Sequence, residues 1–151
     1  TLATPRRAVI GWDSNRLAMI LAVMESRCGI VTSGKEIYLN VAGGLKIQEP
    51  GADLAVAAAI MSALSNVPLP HDLVVFGEVG LSSEVRAVSQ PDARLKEAAK
   101  LGFSQAWMPA PSKKSKGANA SAMKTLEVES VQDLLTQFAS AKVVDDSSEA
   151  A

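Results

Sequence analysis

Two helix starts in this chain are furnished for chemistry on a negatively charged centre, yet neither carries a nucleophile. The first is Glu49-Pro50-Gly51-Ala52-Asp53-Leu54-Ala55-Val56, and the second is Gln90-Pro91-Asp92-Ala93-Arg94-Leu95-Lys96-Glu97. The N-terminus of a helix presents backbone N–H groups that can hold an oxyanion. A serine–lysine hydrolase adds a hydroxyl that attacks and a neutral amine that takes its proton. Gly51 has no side chain, so it cannot form an acyl-enzyme. Asp92, when ionised, only accepts hydrogen bonds. Arg94 stays protonated near neutral pH and is a poor base. Between the two starts run Phe76-Gly77-Glu78-Val79-Gly80-Leu81 and Glu84-Val85-Arg86.

Other pairs carry less. Ser82, Ser83 and Ser89 lie near the second start and Lys46 before the first, but such combinations are common, and turn chemistry explains them better. His71 is the single histidine and sits between Pro70 and Asp72 in a turn. One histidine and one cysteine do not make a zinc site of the usual kind. Gly77 and Gly80 read as strand-end turns, and no Walker-type phosphate loop is present.

The elements that would position the two starts alternate between strand and helix. Arg7 to Trp12 reads as a strand, ended by Asp13-Ser14, either of which can cap the next helix. Leu17, Ile20, Leu21, Met24 and Cys28 recur at helical spacing, and Gly29 closes the helix. Glu36 to Val41 alternates as a strand. Gly43-Gly44 bends it, and Lys46-Ile47 reads as its continuation. Pro50 suits the first turn of a helix, and Asp53 complements its dipole. Apolar residues surround that helix almost completely, which predicts a buried central element. Pro68 and Pro70 mark the turn out of it.

Leu73 to Gly77 reads as an apolar strand, Gly80 to Ser83 as a turn, and Val85 to Val88 as a returning strand. Pro91 opens a helix whose inner stripe is Leu95, Ala98, Ala99 and Leu101, with Gly102 just past its end. Gln105 to Met108 and Thr125 to Val128 are strands, separated by a Pro-, Ser-, Lys- and Gly-rich loop over Pro109 to Ser121. Ser130 with Asp133 forms a capping-box-like start for a last helix with Val131, Leu134, Leu135 and Phe138 on its apolar face. The alternation predicts a two-layer α/β domain over residues 1–141. Residues 142–151 form a polar, acidic tail that is expected to be disordered.

The chain has 151 residues, enough for one domain with a sizeable core. Aromatics make up only 4% against 48% apolar residues, so Ala, Val, Leu, Ile and Met must fill that core. A net charge of −1 provides no global basic field, so any contact with nucleic acid must come from a local patch. Cys28 alone excludes an internal disulfide and fits a reducing compartment. The longest apolar run, Leu54 to Met61, is too short to span a bilayer. Thr1 rather than Met opens the chain, which reads as a piece of something longer.

In order and spacing, the Pro50 and Pro91 segments resemble the proteolytic domain of Lon proteases. In that family a serine follows the first proline and a lysine sits in the first turn of the second helix; here those places hold Gly51 and Asp92. A Lon-like scaffold without its dyad is similar to the C-terminal Lon-like domain of the RadA (Sms) family of bacterial DNA-repair ATPases. The likeness runs from about Pro5 to Phe138. It rests on Thr4-Pro5-Arg6-Arg7, Asn15-Arg16-Leu17, Tyr38-Leu39-Asn40-Val41, Glu49-Pro50 through Ala59, Val75 through Leu81, and Glu84-Val85-Arg86 through Gly102. That family usually has Ala at the place of Gly51. The loop Ser112 to Ala122 matches nothing reliable.

The resemblance implies the fold of the second domain of ribosomal protein S5. It also implies a parent with an N-terminal zinc finger and a RecA-like ATPase core. Zinc, ATP and magnesium would then belong to those parts, and no cofactor is expected in this chain. Such parents form rings, expected to be hexamers, that translocate on DNA and promote branch migration, with a recombinase filament as a further partner. The expected location is the bacterial cytoplasm, at the nucleoid, with no membrane partner.

Three functions then compete with a working peptidase. The first is a non-enzymatic DNA-repair module. Its phosphate contacts would come from Arg6, Arg7, Arg86, Arg94, Lys96, Lys100, Lys113, Lys114 and Lys116, of which Lys96 and Lys100 share a helix face. The second is a pure ring-assembly domain. The third is a groove beside the Pro50 helix that holds peptides without cutting them.

Overall fold

A computed structural model describes residues 4–111 and 123–138 of the chain. Within them strands and helices alternate as the sequence predicts, and the fold is α/β. Strand β1 (Arg7–Ile10) leads into helix α1 (Ser14–Cys28) and returns as β2 (Ile37–Asn40), parallel to β1. A 3-10 turn over Pro50–Ala52 opens helix α2 (Asp53–Ser65). Strand β3 (Leu73–Val75) follows, then a short antiparallel hairpin of β4 (Glu78–Val79) and β5 (Val85–Arg86). Helix α3 (Pro91–Lys100) connects to β6 (Gln105–Pro109), and β7 (Lys124–Val128) completes a parallel sheet of order β3-β6-β7.

The caps explain the helix boundaries. Asp13 is the N-cap of α1, its carboxylate accepting from the Arg16 N–H at 2.9 Å, and Gly29 ends the helix in the left-handed region. The Ser130–Asp133 capping box is present at the start of the last helical turn. Leu17, Ile20, Leu21 and Met24 of α1 pack against Leu54, Val56, Ala57, Ile60 and Met61 of α2 in the main core, which Val128, Val131, Leu134 and Phe138 complete. A second core joins Leu95 and Ala98 of α3 to Phe76, Ala106, Met108 and Met123.

Several elements are shorter than the sequence pattern implies. Strand β1 stops at Ile10 because Gly11 takes a φ of +78° there. A Cβ at that position would lie 2.3 Å from the Leu45 carbonyl oxygen, so only glycine permits the close crossing. Lys46-Ile47 does not continue β2: Gly43-Gly44 lies in a 3-10 turn, and Ile47 makes a single bond to the Gly11 carbonyl. Strand β3 ends at Val75 because Gly77 turns its backbone towards the start of α2. Strand β5 ends at Arg86 rather than Val88. The inner stripe of α3 is narrower than expected. Leu95 and Ala98 are buried, whereas Ala99 is exposed and Leu101 is 69% exposed, because the helix ends at Lys100 before its stripe can turn inward again. The expected tail over residues 142–151 lies outside the described residues. Among the described residues no helix is long and apolar enough to cross a membrane.

Candidate functional site

The two helix starts line one groove of about 580 Å³. Gly51 and Ala52 come from the first and Ala93 and Arg94 from the second, while Phe76 and Phe103 supply much of the apolar wall. The sequence-predicted pair of segments is therefore brought together, across the end of β3.

At the first start four successive backbone N–H groups, those of residues 51–54, already have partners. The Gly51 N–H donates to Oε1 of Glu49 at 3.0 Å, and the Ala52 N–H to the Glu49 carbonyl at 3.1 Å. The Asp53 N–H donates to the Pro50 carbonyl, and the Leu54 N–H to the Gly77 carbonyl at 3.0 Å. The N–H groups of residues 51–54 are thus not free for an oxyanion: the Glu49 carboxylate holds the first and backbone carbonyls hold the other three. Gly77 returns the contact, its N–H donating to the Gly51 carbonyl at 2.7 Å.

A side chain at Gly51 would have to push aside the flexible end of the Glu49 side chain. A Cβ there would lie 2.9 Å from Glu49 Oε1, 3.2 Å from Val88 Cγ1 and 3.5 Å from Arg94 Nη1. Arg94 closes this arrangement. Its Nη2 lies 3.3 Å from Glu49 Oε1, its Nε donates to the Ser89 carbonyl at 2.9 Å, and its guanidinium stands 5.9 Å from the centre of the Phe76 ring. Glu49 is half exposed, so this pair contributes little energy. Its effect is geometric: a carboxylate and a guanidinium occupy the mouth of the groove. Asp92 is exposed in the first turn of α3, where its charge suits the helix dipole.

Behind the groove lies the most buried charge of the described residues. Asp53 is fully buried, and both of its oxygens accept from Arg16, through Nε and Nη2. The Val79 N–H donates to the same carboxylate at 3.1 Å. Hydrogen bonding to Asp53 raises the Arg16 guanidinium above its already high pKa. One carboxylate thus ties α1, the start of α2 and the β4–β5 hairpin together. Sequence reasoning assigned Asp53 to the helix dipole and missed the pair. The only signal was an arginine in the first turn of α1.

The cationic candidates divide. Arg86 is engaged by Glu84, with Nη2 at 2.9 Å from Oε1, and by Glu78 at 3.8 Å. Arg94 is held by Glu49, and Arg7 donates to the Thr32 carbonyl at 2.9 Å. Arg6, Lys96 and Lys100 are exposed, the two lysines on α3. Lys113, Lys114 and Lys116 lie outside the described residues. Of the three serines considered, Ser83 is 2% exposed and closed to substrate, and the Ser89 carbonyl is used by Arg94. His71 is exposed.

Residues 9–112 match the family model described as subunit ChlI of Mg-chelatase. Similar proteins in three bacteria carry the name DNA repair protein RadA. The one from Brucella abortus is 61% identical over 109 residues, covering 72% of this chain and 23% of its own length. That from Pseudomonas aeruginosa is 57% identical over 108 residues, covering 72% and 24%. That from Aquifex aeolicus is 52% identical over 106 residues, covering 70% and 24%. The chain therefore spans about a quarter of the length of these relatives.

Proposed function

The chain belongs to the family described as subunit ChlI of Mg-chelatase and is homologous to a segment of DNA repair protein RadA, and from that membership we propose that it is the non-proteolytic, Lon-like domain of a RadA-type repair protein. In this reading the domain is a scaffold with a DNA-contact surface, folded like the second domain of ribosomal protein S5. Its parent is an ATP-hydrolysing, ring-forming translocase of the bacterial cytoplasm that promotes branch migration at the nucleoid. The observation that carries the loss of proteolysis is the start of α2. Glu49 takes the Gly51 N–H, and Arg94 stands beside the place where a nucleophile would project. The family description names magnesium chemistry. Among the described residues no three His, Cys, Asp or Glu side chains cluster to hold a metal ion.

A titration of fluorescently labelled single-stranded and duplex DNA with this chain tests the DNA contact. Binding through a few phosphates is expected to weaken on the order of ten- to a hundredfold between about 50 mM and about 200 mM salt. No affinity for either DNA at the lower salt would overturn the direct-contact reading. A second reading, ring assembly without DNA contact, is supported by Leu81 and Leu101, exposed at 70% and 69%.

A further inference from the structure

The small β1–β2 sheet has one face in the core and one in water. Successive side chains on a strand point to opposite faces. Val9, Ile37 and Leu39 pack on the main core, so Ala8 and Ile10 of β1, with Tyr38 and Asn40 of β2, turn the other way. The parallel register sets Ala8 opposite Tyr38 and Ile10 opposite Asn40. Ile10 is 66% exposed and Tyr38 62%, which is unusual for side chains with this much apolar surface on a strand. The Tyr38 hydroxyl donates to Glu36 Oε2 at 3.0 Å. The ring is thus held at its tip while its faces stay accessible.

We propose that this outward face is a stacking platform for single-stranded nucleic acid, with an unpaired base on the Tyr38 ring beside Ile10 and a flanking phosphate on Arg6. The proposal rests on the DNA-contact reading above and names the form of DNA and the residues. Charge favours this occupant. Arg6 and Lys35 sit just ahead of the two strands against one acid, Glu36, in a chain whose net charge is −1. Size favours it too. Four-residue strands at about 3.3 Å per residue, about 4.8 Å apart, give a face of roughly 13 by 10 Å. A standard protein interface needs about 800 Å² per partner, far more than this face supplies. A base or two matches it. Aromatic stacking accepts any base, but only one that is out of a duplex.

Anisotropy of a fluorescein-labelled oligothymidine, titrated at fixed low salt, tests the platform. Tyr38→Ala is expected to weaken binding roughly 5- to 100-fold without changing the salt slope, and to leave duplex affinity unchanged. Tyr38→Phe should bind like the parent chain, because stacking needs the ring and not the hydroxyl. Arg6→Ala should lower both affinity and salt slope, as loss of a phosphate contact does. Far-ultraviolet circular dichroism of each variant confirms that it is folded. If the parent chain binds and Tyr38→Ala binds equally well, the platform is overturned while the DNA-contact reading stands. If the parent chain binds no DNA, both fall. If Tyr38→Ala changes light scattering by the chain instead of DNA affinity, the face is a contact between copies and the proposal is overturned.

Discussion

Arg16→Ala is expected to lower the free energy of unfolding by about 3–5 kcal/mol, because it strands a charge in the core. Asp53 is fully buried, and among the described residues its carboxylate has, apart from Arg16, only the Val79 N–H. The reverse substitution should cost less. Arg16 is 30% exposed and can turn its guanidinium to water once Asp53 is gone, although the Val79 N–H then loses its acceptor. Paired replacement by Arg16→Met with Asp53→Leu should recover most of the loss, since apolar side chains of similar volume substitute well for a buried ion pair. Urea unfolding of the two single variants and the double variant gives the coupling directly. Equal, additive losses would show that the pair does not hold α1 to α2.

Gly77→Ala should be the next most damaging single change, by about 2–4 kcal/mol, from a backbone conformation that a side chain rarely adopts combined with overpacking. Gly77 has a φ of +154°, and a Cβ there would come within 2.8 Å of Val85 Cγ1 and 3.3 Å of Leu54 Cδ2. Both neighbours sit in the main core and have little room to retreat. The damage would also reach the groove, because the backbone of Gly77 bonds to Gly51 and Leu54 at the start of α2. Thermal unfolding of Gly77→Ala beside Gly51→Ala separates these effects. Gly51→Ala meets mainly the movable end of Glu49 and should be nearly neutral. A Gly77→Ala variant as stable as the parent chain would remove the strain argument.

Local pattern made the order of elements legible. Helical spacing from Leu17 to Cys28, the left-handed Gly29, the Pro50 and Pro91 helix starts and the Ser130–Asp133 box each act over a few residues, and the structure contains each of them. What sequence reasoning missed acts over distance. Arg16 and Asp53 are 37 positions apart, and Glu49 and Arg94 are 45 apart, and no periodicity links an acid to a base across such a gap. Glu49 in particular looked like an ordinary residue ahead of a helix, yet its carboxylate takes the Gly51 N–H at the start of α2. The strand ends were misjudged for a related reason. Gly11 and Gly77 stop β1 and β3 where other segments cross closely, and those crossings exist only in three dimensions. Leu101 kept the helical spacing of α3 but fell beyond its last turn.

The loss of chemistry at the groove is tested most directly by hydrolysis of fluorescently labelled casein. The account predicts no release above buffer from the chain, and none from Gly51→Ser combined with Asp92→Lys, because the N–H groups of residues 51–54 remain engaged and cannot hold an oxyanion. Steady casein turnover by the chain itself, at a rate proportional to its concentration and retained through repurification, would contradict it.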